Sequence, residues 1–414
     1  MKKSQKIILS LVSIVVLGAG VVFAYAIKLA EDAKQTVANI EGSIDREVRP
    51  VNYEAQDPVS ILLMGVDEGT VTGELDRTTD YVGRSDSLMY VTLNPKNKQT
   101  TIVSMDRDLY VQITGKTRDS GAPLYAKLNE SYSYGAGDGA GEIGSAETTI
   151  ATVENMLDVP VDHYVSINMQ GMEDLIDAVG GITVDNQYHF ELDGVELYPG
   201  VQELDGKSGL AYARFRKYDA ATGMGDPEGD VGRQKRQREV VELIVRKILS
   251  LNSVTNYQKI FTAIEDNVVT DLTWDQMLNI AQGYTSVLDN IVPLQLQGQY
   301  HWFDGYYQLL PINELLDIQN ALKTQLDLPN VDSLAAMESF DNQEYYFDDT
   351  NLDADAGERE GIDDNLYFDG QILRPYQSIW TRDSYPENAL TQSTTESSGS
   401  ATETTATSEI AQVE

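Results

Sequence analysis

Short apolar runs bounded by turn residues recur through the first half of the chain and predict β-strands. Pro and Asn chemistry in Asn94–Asn97 predicts a turn that joins two of these runs into a hairpin. The predicted strands are Val59–Gly65, Ser87–Leu93, Thr100–Ser104, Asp162–Ile167 and Gly181–Asp185.

Apolar residues at helical spacing predict helices over Glu147–Leu157, Gly171–Val179 and Val231–Ser250. Gly180-Gly181 ends the second of these helices. Strands that alternate with helices predict an α/β fold, an α-β-α sandwich in which a central mixed β-sheet is flanked by helices. The last helix carries an apolar stripe that is typical of ordinary core and would also suit an apolar groove. The stripe consists of Val240, Val241, Ile244, Val245, Ile248 and Leu249.

The N-terminus has a different pattern, because Ile7–Ile27 contains no charged residue and follows Lys2, Lys3 and Lys6. At about 1.5 Å per residue, this run is long enough to cross a bilayer core of roughly 30 Å. It predicts an N-terminal transmembrane helix that anchors a single-pass protein in the cell membrane. The positive flank predicts a cytoplasmic N-terminus and places the residues from about 30 onward outside the cell. A cleaved signal peptide is the alternative, although its apolar region would be shorter.

Composition shifts divide the chain into six segments. The region after about residue 335 is acidic, and the region from Glu387 is rich in Ser, Thr and Glu, which predicts disorder. The predicted segments are a cytoplasmic N-terminus (1–6), a transmembrane helix (7–27), a juxtamembrane stalk (28–56), an extracellular domain (57–335), an acidic extension (336–386) and a disordered tail (387–414).

Charge and composition exclude several function classes. The 414 residues include 66 acidic and 30 basic side chains, a formal net charge of −36, which argues against a nucleic-acid partner. The chain has no cysteine, which excludes disulfide scaffolds, thiolate metal sites and cysteine nucleophiles. It has 3 histidines, too few for a His-rich metal site.

A basic cluster stands out in this acidic chain. Residues 214–238 contain seven basic and four acidic side chains. Arg214 and Arg216 lie two apart in a strand-like run, which predicts that both point to one face, and Arg233 and Gln237 lie four apart near a helix start. Guanidinium groups and a helix N-terminus both favour phosphate. The alternative is that these arginines neutralise local carboxylates.

Two aspartates at strand ends form the acidic part of the candidate site. Asp67 follows the first predicted strand and Asp86 precedes the second. Converging carboxylates of this kind suit Mg²⁺, with Mn²⁺ as an alternative, because Mg²⁺ needs only one or two carboxylates when ligand phosphates complete its shell. Both aspartates could equally be ordinary turn residues. Arg107 follows the third predicted strand.

An ordered series of segments over about 57–250 resembles the LytR-CpsA-Psr family. The segments are Leu-Leu-Met-Gly-Val-Asp67, Gly-Arg-Ser-Asp86-Ser, Ser-Met-Asp-Arg107-Asp-Leu-Tyr-Val, Lys127-Leu-Asn-Glu, Leu-Ala-Tyr-Ala-Arg214-Phe-Arg216 and Gly-Asp230-Val-Gly-Arg233-Gln-Lys-Arg-Gln237.

The resemblance implies an Mg²⁺-dependent, membrane-anchored phosphotransferase. Such an enzyme moves an anionic glycopolymer, a teichoic acid or a capsular polysaccharide, from a polyprenyl pyrophosphate carrier to peptidoglycan. The family's catalytic positions correspond to Arg107, Arg214 and Asp86. Its metal-binding aspartates correspond to Asp67 and Asp86. The positions that match pyrophosphate contacts are Arg84, Arg107, Arg214, Arg216, Arg233 and Gln237. Asp230 and Lys127 match less certain positions.

One departure from the family pattern concerns Asp106, which stands where the family usually has proline. Its carboxylate could pair with Arg107 and weaken the grip on phosphate, or it could point away, because adjacent strand side chains alternate. The sequence does not distinguish which carboxylate acts as the general base. The candidates are Asp86, Asp106, Asp108 and Asp230.

Three other functions use the same residues or the same location. A polyprenyl pyrophosphate hydrolase would differ only in its acceptor, and a non-catalytic lipid-binding envelope protein would tolerate loss of the two aspartates. A transcriptional attenuator is disfavoured by the net charge and the predicted location. The sequence does not specify which glycopolymer is transferred, which hydroxyl accepts it, or the oligomeric state.

Overall fold

The computed structural model describes residues 42–44, 46–67, 83–118, 121, 123–137, 141–249, 260, 262–302, 306–309 and 312–332. The strands are β1 (Val59–Asp67), β2 (Arg84–Asn94), β3 (Gln99–Met105), β4 (Tyr110–Thr117), β5 (Pro123–Lys127), β6 (His163–Asn168), β7 (Ile182–Asn186), β8 (Phe190–Leu192), β9 (Val195–Leu197), β10 (Gly200–Leu204), β11 (Tyr218–Asp219), β12 (Met224–Gly225), β13 (Val268–Thr270), β14 (Asn290–Leu296), β15 (Gln299–Trp302) and β16 (Tyr306–Leu309). The helices are α1 (Glu130–Gly135), α2 (Gly141–Leu157), α3 (Met169–Ala178), α4 (Gly206–Arg214), α5 (Asp230–Leu249), α6 (Trp274–Gly283) and α7 (Ile312–Gln325).

A six-stranded sheet in the order β13-β6-β1-β2-β3-β14 forms the centre of the fold. β1 runs parallel to β6, and β3 runs parallel to β14. The pairs β1–β2, β2–β3 and β6–β13 are antiparallel. The prediction of a mixed central sheet is therefore confirmed.

Helices cover both faces of this sheet. On one face, Leu62 and Tyr90 belong to a buried cluster that includes Val153 of α2 and Leu322 of α7. On the other face, Met89 and other sheet residues pack with Tyr284 and Val287 near α6. A third cluster joins α3, α4 and α5 to the small strands β7–β10. Alternating strand side chains divide between these clusters, which explains the α-β-α layers.

The predicted strands and helices are present, with bounds that differ by a few residues. The turn after β2 is held as expected, since Asn94 Oδ1 accepts a hydrogen bond from Asn97 N at 2.9 Å. One prediction is wrong. The strand-like run that carries Arg214 is helical through Arg214, because Asp205 caps α4 by accepting from Ser208 N and starts a helix that propagates through Ala211 and Ala213.

Among the described residues, no helix is both long and apolar enough to cross a membrane. The predicted transmembrane segment 7–27, the cytoplasmic segment 1–6, the acidic extension 336–386 and the tail 387–414 all lie outside the described residues.

The described part of the predicted stalk, within 42–56, is irregular and packs against the domain. Arg49 binds the fully buried carboxylate of Asp162 through Nε and Nη2, each at 2.6 Å. Arg46 Nη1 donates to the Val161 carbonyl at 2.6 Å. These contacts tie the segment that follows the predicted anchor to the start of β6.

Replacing Arg49 with alanine is expected to destabilise the domain by about 3 kcal/mol, because it leaves a buried carboxylate without its cation. Chemical denaturation of the purified domain measures this loss. Arg246→Ala serves as the control, since it removes an exposed pair with Glu242 at 2.9 Å and should cost less than about 1 kcal/mol. If both variants lose the same free energy of unfolding, the buried Arg49–Asp162 pair contributes no more to stability than an exposed pair.

Candidate active site

An irregularity in the β1–β2 pairing places the first aspartates of the site. Gly65 pairs with Ser87 and Val66 with Ser85, so Asp86 has no partner in the register. A bulge of this kind re-aims a side chain that would otherwise follow the alternation of the strand. Asp86 and the strand-end residue Asp67 both line one cavity as a result.

Arg107, which follows β3, is held against Asp86. Arg107 Nη1 lies 2.6 Å from Asp86 Oδ2, and Asn129 Nδ2 donates to Asp86 Oδ1 at 2.8 Å. Asp106 points away from this pair: its two oxygens accept hydrogen bonds from Asp108 N at 2.9 Å and from Gln234 Nε2 at 3.0 Å. The departure from the family pattern therefore leaves Arg107 with Asp86 as its nearest carboxylate.

The first turns of α5 supply the next group of side chains. Asp230 begins the helix, and Arg233 Nη2 lies 2.8 Å from Asp230 Oδ1. Gln237, one turn further on, accepts a hydrogen bond from Ser87 Oγ at 3.1 Å. Arg233 and Gln237 line the same cavity, so the prediction that they share one helix face is confirmed.

Arg214 and Arg216 reach this cavity from the C-terminal end of α4 rather than from a strand. Arg214 Nη1 lies 2.6 Å from Asp193 in the β8–β9 turn, and Arg216 Nη1 lies 3.6 Å from Asp230 Oδ1. The buried Arg236 donates to the carbonyls of Tyr212 and Phe215 and pairs with Asp226. Arg236 thus fixes the backbone on both sides of Arg214.

The cavity has a volume of about 390 Å³ and two distinct ends. Its polar end carries four arginines and two aspartates, a formal net charge of +2 in a chain of net charge −36. Its remaining wall is mainly apolar. The polar lining consists of Asp67, Asp86, Ser87, Arg107, Asn168, Arg214, Arg216, Arg233 and Gln237.

The apolar wall is built by α5, the sheet and α3. Five residues of the apolar stripe on α5 line it, so the stripe forms a groove as well as core. The principal apolar lining residues are Leu63, Met89, Val165, Ile167, Met172, Leu175, Val240, Val241, Ile244, Val245 and Ile248.

Burial and neighbouring charges act in opposite directions on the arginines. Burial lowers the pKa of Arg233, and the cations Arg107 and Arg216 add to this effect against the attraction of Asp230. Burial also opposes the charged form of Arg107, but the surrounding aspartates outweigh it and raise its pKa. Arg233 is therefore a crowded, poorly solvated cation that a bound anion would stabilise.

Two buried donors at this site, Arg107 Nε and Arg233 Nε, find no hydrogen-bond acceptor among the described residues. Unsatisfied guanidinium donors of this kind fit an anionic ligand such as phosphate. Each of the four arginines also has a carboxylate within 4 Å, as the charge-neutralisation alternative predicted. The two interpretations are compatible, since an anion can replace a weakly held carboxylate.

Asp67 and Asp86 offer hard oxygen donors on one cavity wall, which fits Mg²⁺ whose shell is completed by phosphate oxygens. Within the described part of the chain, no group of three or more His, Cys, Asp or Glu residues is arranged to hold a metal ion. The described residues alone therefore do not supply a full coordination shell.

Three predicted residues, Arg84, Lys127 and Asp230, lie outside the cavity lining. Arg84 pairs with Glu130 at 3.0 Å, and Lys127 pairs with Asp108 at 2.7 Å. Asp230 pairs with Arg216 at 3.6 Å and with Arg233 at 2.8 Å. The other predicted residues, Asp67, Asp86, Arg107, Arg214, Arg216, Arg233 and Gln237, are brought together at the polar end.

Sequence reasoning missed several supporting residues. Asp193, the partner of Arg214, lies in an Asp-Gly turn with positive φ at both residues, and nothing in the sequence links it to Arg214. Asn129 donates to Asp86 and Ser87 donates to Gln237. Both lie within segments that carried the family resemblance, and that location could have pointed to them as site residues.

Comparison with known proteins agrees with this geometry. The LytR_cpsA_psr family model matches residues 21–324. A relative from Enterococcus faecalis, polyisoprenyl-teichoic acid–peptidoglycan teichoic acid transferase TagU, is 40% identical over 329 residues, which cover 79% of this chain and 99% of the relative.

Two solved structures share the fold. A crystal structure of an Enterococcus faecalis protein described as a transcriptional regulator is 45% identical, covers 68% of this chain and 92% of that chain, and has a TM-score of 0.56. TagT bound to LIIa-WTA is 27% identical, covers 68% of this chain and 95% of that chain, and has a TM-score of 0.51. With the family match and the TagU relative, these findings show that the chain belongs to the LytR_cpsA_psr family.

Proposed function

We propose that this protein transfers an anionic glycopolymer, a teichoic acid or a capsular polysaccharide, from a polyprenyl pyrophosphate carrier to peptidoglycan. The observation that carries the proposal is the two-ended cavity, which joins four arginines to an apolar groove. A polyprenyl pyrophosphate has the same division, with a diphosphate at one end and a hydrocarbon chain at the other. The name of the TagU relative specifies a reaction of this class.

The arginines bind the diphosphate in this proposal. Arg107, Arg214, Arg216 and Arg233 present guanidinium groups to one space, where bidentate hydrogen bonds to phosphate oxygens form readily. The groove along α5 holds the first part of the polyprenyl chain, because burial of hydrocarbon there removes apolar surface from water. TagT, a neighbour of the same fold, binds LIIa-WTA.

The reaction is a phosphoryl transfer governed by positioning and charge neutralisation. A hydroxyl of peptidoglycan attacks the phosphorus that bears the glycopolymer, the bond to the bridging oxygen of the pyrophosphate breaks, and polyprenyl phosphate leaves. The arginines stabilise the negative charge that develops on this leaving phosphate. Of the four aspartates considered as proton acceptors, Asp86 is the one that lines the cavity within the described residues.

Asp67 and Asp86 are the residues that hold Mg²⁺, or Mn²⁺, in this proposal. A bound Mg²⁺ neutralises charge on the phosphate oxygens. The segment 7–27 anchors the protein in the cell membrane, with the N-terminus in the cytoplasm and the catalytic domain outside. This arrangement keeps the site near a donor that is itself embedded in the membrane.

Incubation of the purified protein with lipid-linked glycopolymer, with and without peptidoglycan oligosaccharide, tests the proposal. Transfer predicts two results. Polyprenyl phosphate is released only when the acceptor is present, and the glycopolymer becomes covalently joined to the acceptor. Release without acceptor would favour a hydrolase, and tight lipid binding without any release would favour a lipid-binding envelope protein.

Removal of divalent cations is expected to lower transfer on the order of tenfold, with recovery on addition of Mg²⁺ or Mn²⁺. The physical reason is that the negative charges of Asp67, Asp86 and the diphosphate would then lack the cation that offsets them. Asp67→Asn should lose most of this response, while Asp275→Asn, on α6 and not among the cavity-lining residues, should keep it. Full activity in chelator would remove the metal from the proposal.

A direct role in transcription is not favoured, although one similar structure is described as a transcriptional regulator. The net charge of −36 opposes contact with nucleic acid.

A further inference from the structure

Asp106 is a carboxyl group with no exposed surface, and it lies beside the candidate site without lining the cavity. A buried carboxyl group is costly unless its oxygens receive hydrogen bonds. Both oxygens of Asp106 do receive them, one from the Asp108 backbone at 2.9 Å and one from the Gln234 side chain at 3.0 Å.

Gln234 connects Asp106 to a second carboxylate. Its Nε2 donates to Asp106 Oδ2 at 3.0 Å and lies 3.3 Å from Asp230 Oδ2. The two N–H groups of this amide are thus directed at two carboxylates that belong to different parts of the chain. Gln234 is 4% exposed, so water does not compete for these bonds.

The orientation of this amide is fixed by charge. Gln234 Oε1 is buried, and none of the residues that the structure describes donates a hydrogen bond to it, which is an unfavourable state for an amide oxygen. Rotation of the amide by half a turn would direct that oxygen at the carboxylates of Asp106 and Asp230. The pair of carboxylates therefore selects the observed orientation.

The second carboxylate in this chain of contacts holds two of the arginines of the cavity. Asp230 Oδ1 lies 2.8 Å from Arg233 Nη2 and 3.6 Å from Arg216 Nη1. A shift of Asp230 would move the guanidinium groups that face the diphosphate. The contacts run from Asp106 through Gln234 and Asp230 to these arginines.

We infer that Asp106 and Gln234 are positioning residues for the donor diphosphate, because Gln234 is oriented by Asp106 and in turn fixes Asp230 between Arg233 and Arg216. The inference rests on the proposed transfer activity. Burial raises the pKa of Asp106, and the nearby carboxylates of Asp230 and Asp108 act in the same direction. The Gln234 amide thus donates to two neighbouring carboxylates, those of Asp106 and Asp230, that repel each other.

Gln234→Met tests the inference, because methionine preserves the volume and removes both N–H groups. It is expected to raise the KM for the lipid-linked donor about tenfold, while the KM for the acceptor and kcat change little. Asp106→Asn is the second variant and should shift the same parameter in the same direction. Gln319→Met is the matched control, since Gln319 is 2% exposed and donates to Met156 O at 3.0 Å away from the site.

The double variant Asp106→Asn/Gln234→Met gives the sharpest result. If Asp106 acts through Gln234, its donor KM should match that of the more affected single variant. Additive effects, a fall in kcat alone, or a donor KM no different from that of Gln319→Met would overturn the inference. Calorimetric titration with inorganic pyrophosphate tests the positioning role separately from the proposed transfer activity. Weaker pyrophosphate binding in the variants supports the positioning role even if the wild type transfers nothing. A wild type that transfers nothing would count against the proposed function alone.

Discussion

Arg214→Ala is expected to lower glycopolymer transfer about 100-fold, because it removes one of the guanidinium groups that stabilise charge on the leaving phosphate. The side chain of Arg214 is 38% exposed. Among the described residues, its ion pair is with the exposed Asp193, with Nη1 2.6 Å from Oδ2. Its loss should therefore leave folding intact. Transfer from purified lipid-linked donor to peptidoglycan oligosaccharide is the measurement.

Lys217→Ala provides the matched control, since Lys217 is an exposed cation three residues further on and does not line the cavity. It removes the same formal charge from the same segment and should change transfer less than about twofold. Similar losses in both variants would mean that general electrostatic attraction, rather than a placed guanidinium group, explains the contribution of Arg214.

Val245→Asp is expected to weaken binding of polyprenyl pyrophosphate about 100-fold, because it places a carboxylate in the groove where hydrocarbon would lie. Val245 lines the apolar part of the cavity and is only half-buried, so the domain should still fold. Titration with polyprenyl pyrophosphate, compared with inorganic pyrophosphate, measures the effect, and the inorganic anion should bind as it does to the wild type.

Val245→Leu separates charge from shape at the same position. It keeps the wall apolar and should change polyprenyl pyrophosphate binding only slightly. If Val245→Asp binds both anions as the wild type does, the groove along α5 does not hold the lipid chain and the two-ended interpretation of the cavity fails.

Much of the central sheet could be predicted from local pattern. The apolar runs at Val59–Gly65 and Ser87–Leu93 lie within β1 and β2, because a strand buried on both faces requires continuous apolar residues wherever it lies. The spacing of Arg233 and Gln237 likewise predicted a shared face, since helical geometry fixes side chains four residues apart.

Local pattern failed where small residues allow either conformation. The run around Arg214 has the alternation of a strand, yet a capping aspartate nine residues before Arg214 starts a helix there. The strand prediction used the alternation alone and missed that cap. Arg214 and Arg216 still reach one cavity, but by a helix end and the extended residues after it.

Periodicity and ordered local segments were enough to predict the fold class, the family and the chemical types available to the site. Which charges meet depends on how distant segments pack together. The β1–β2 bulge turns Asp86 toward Arg107, the β8–β9 turn brings Asp193 to Arg214, and Asp106 is directed to Gln234 instead of Arg107. Each of these contacts joins residues distant in sequence or re-aims a side chain through a backbone irregularity, so no local pattern specifies it.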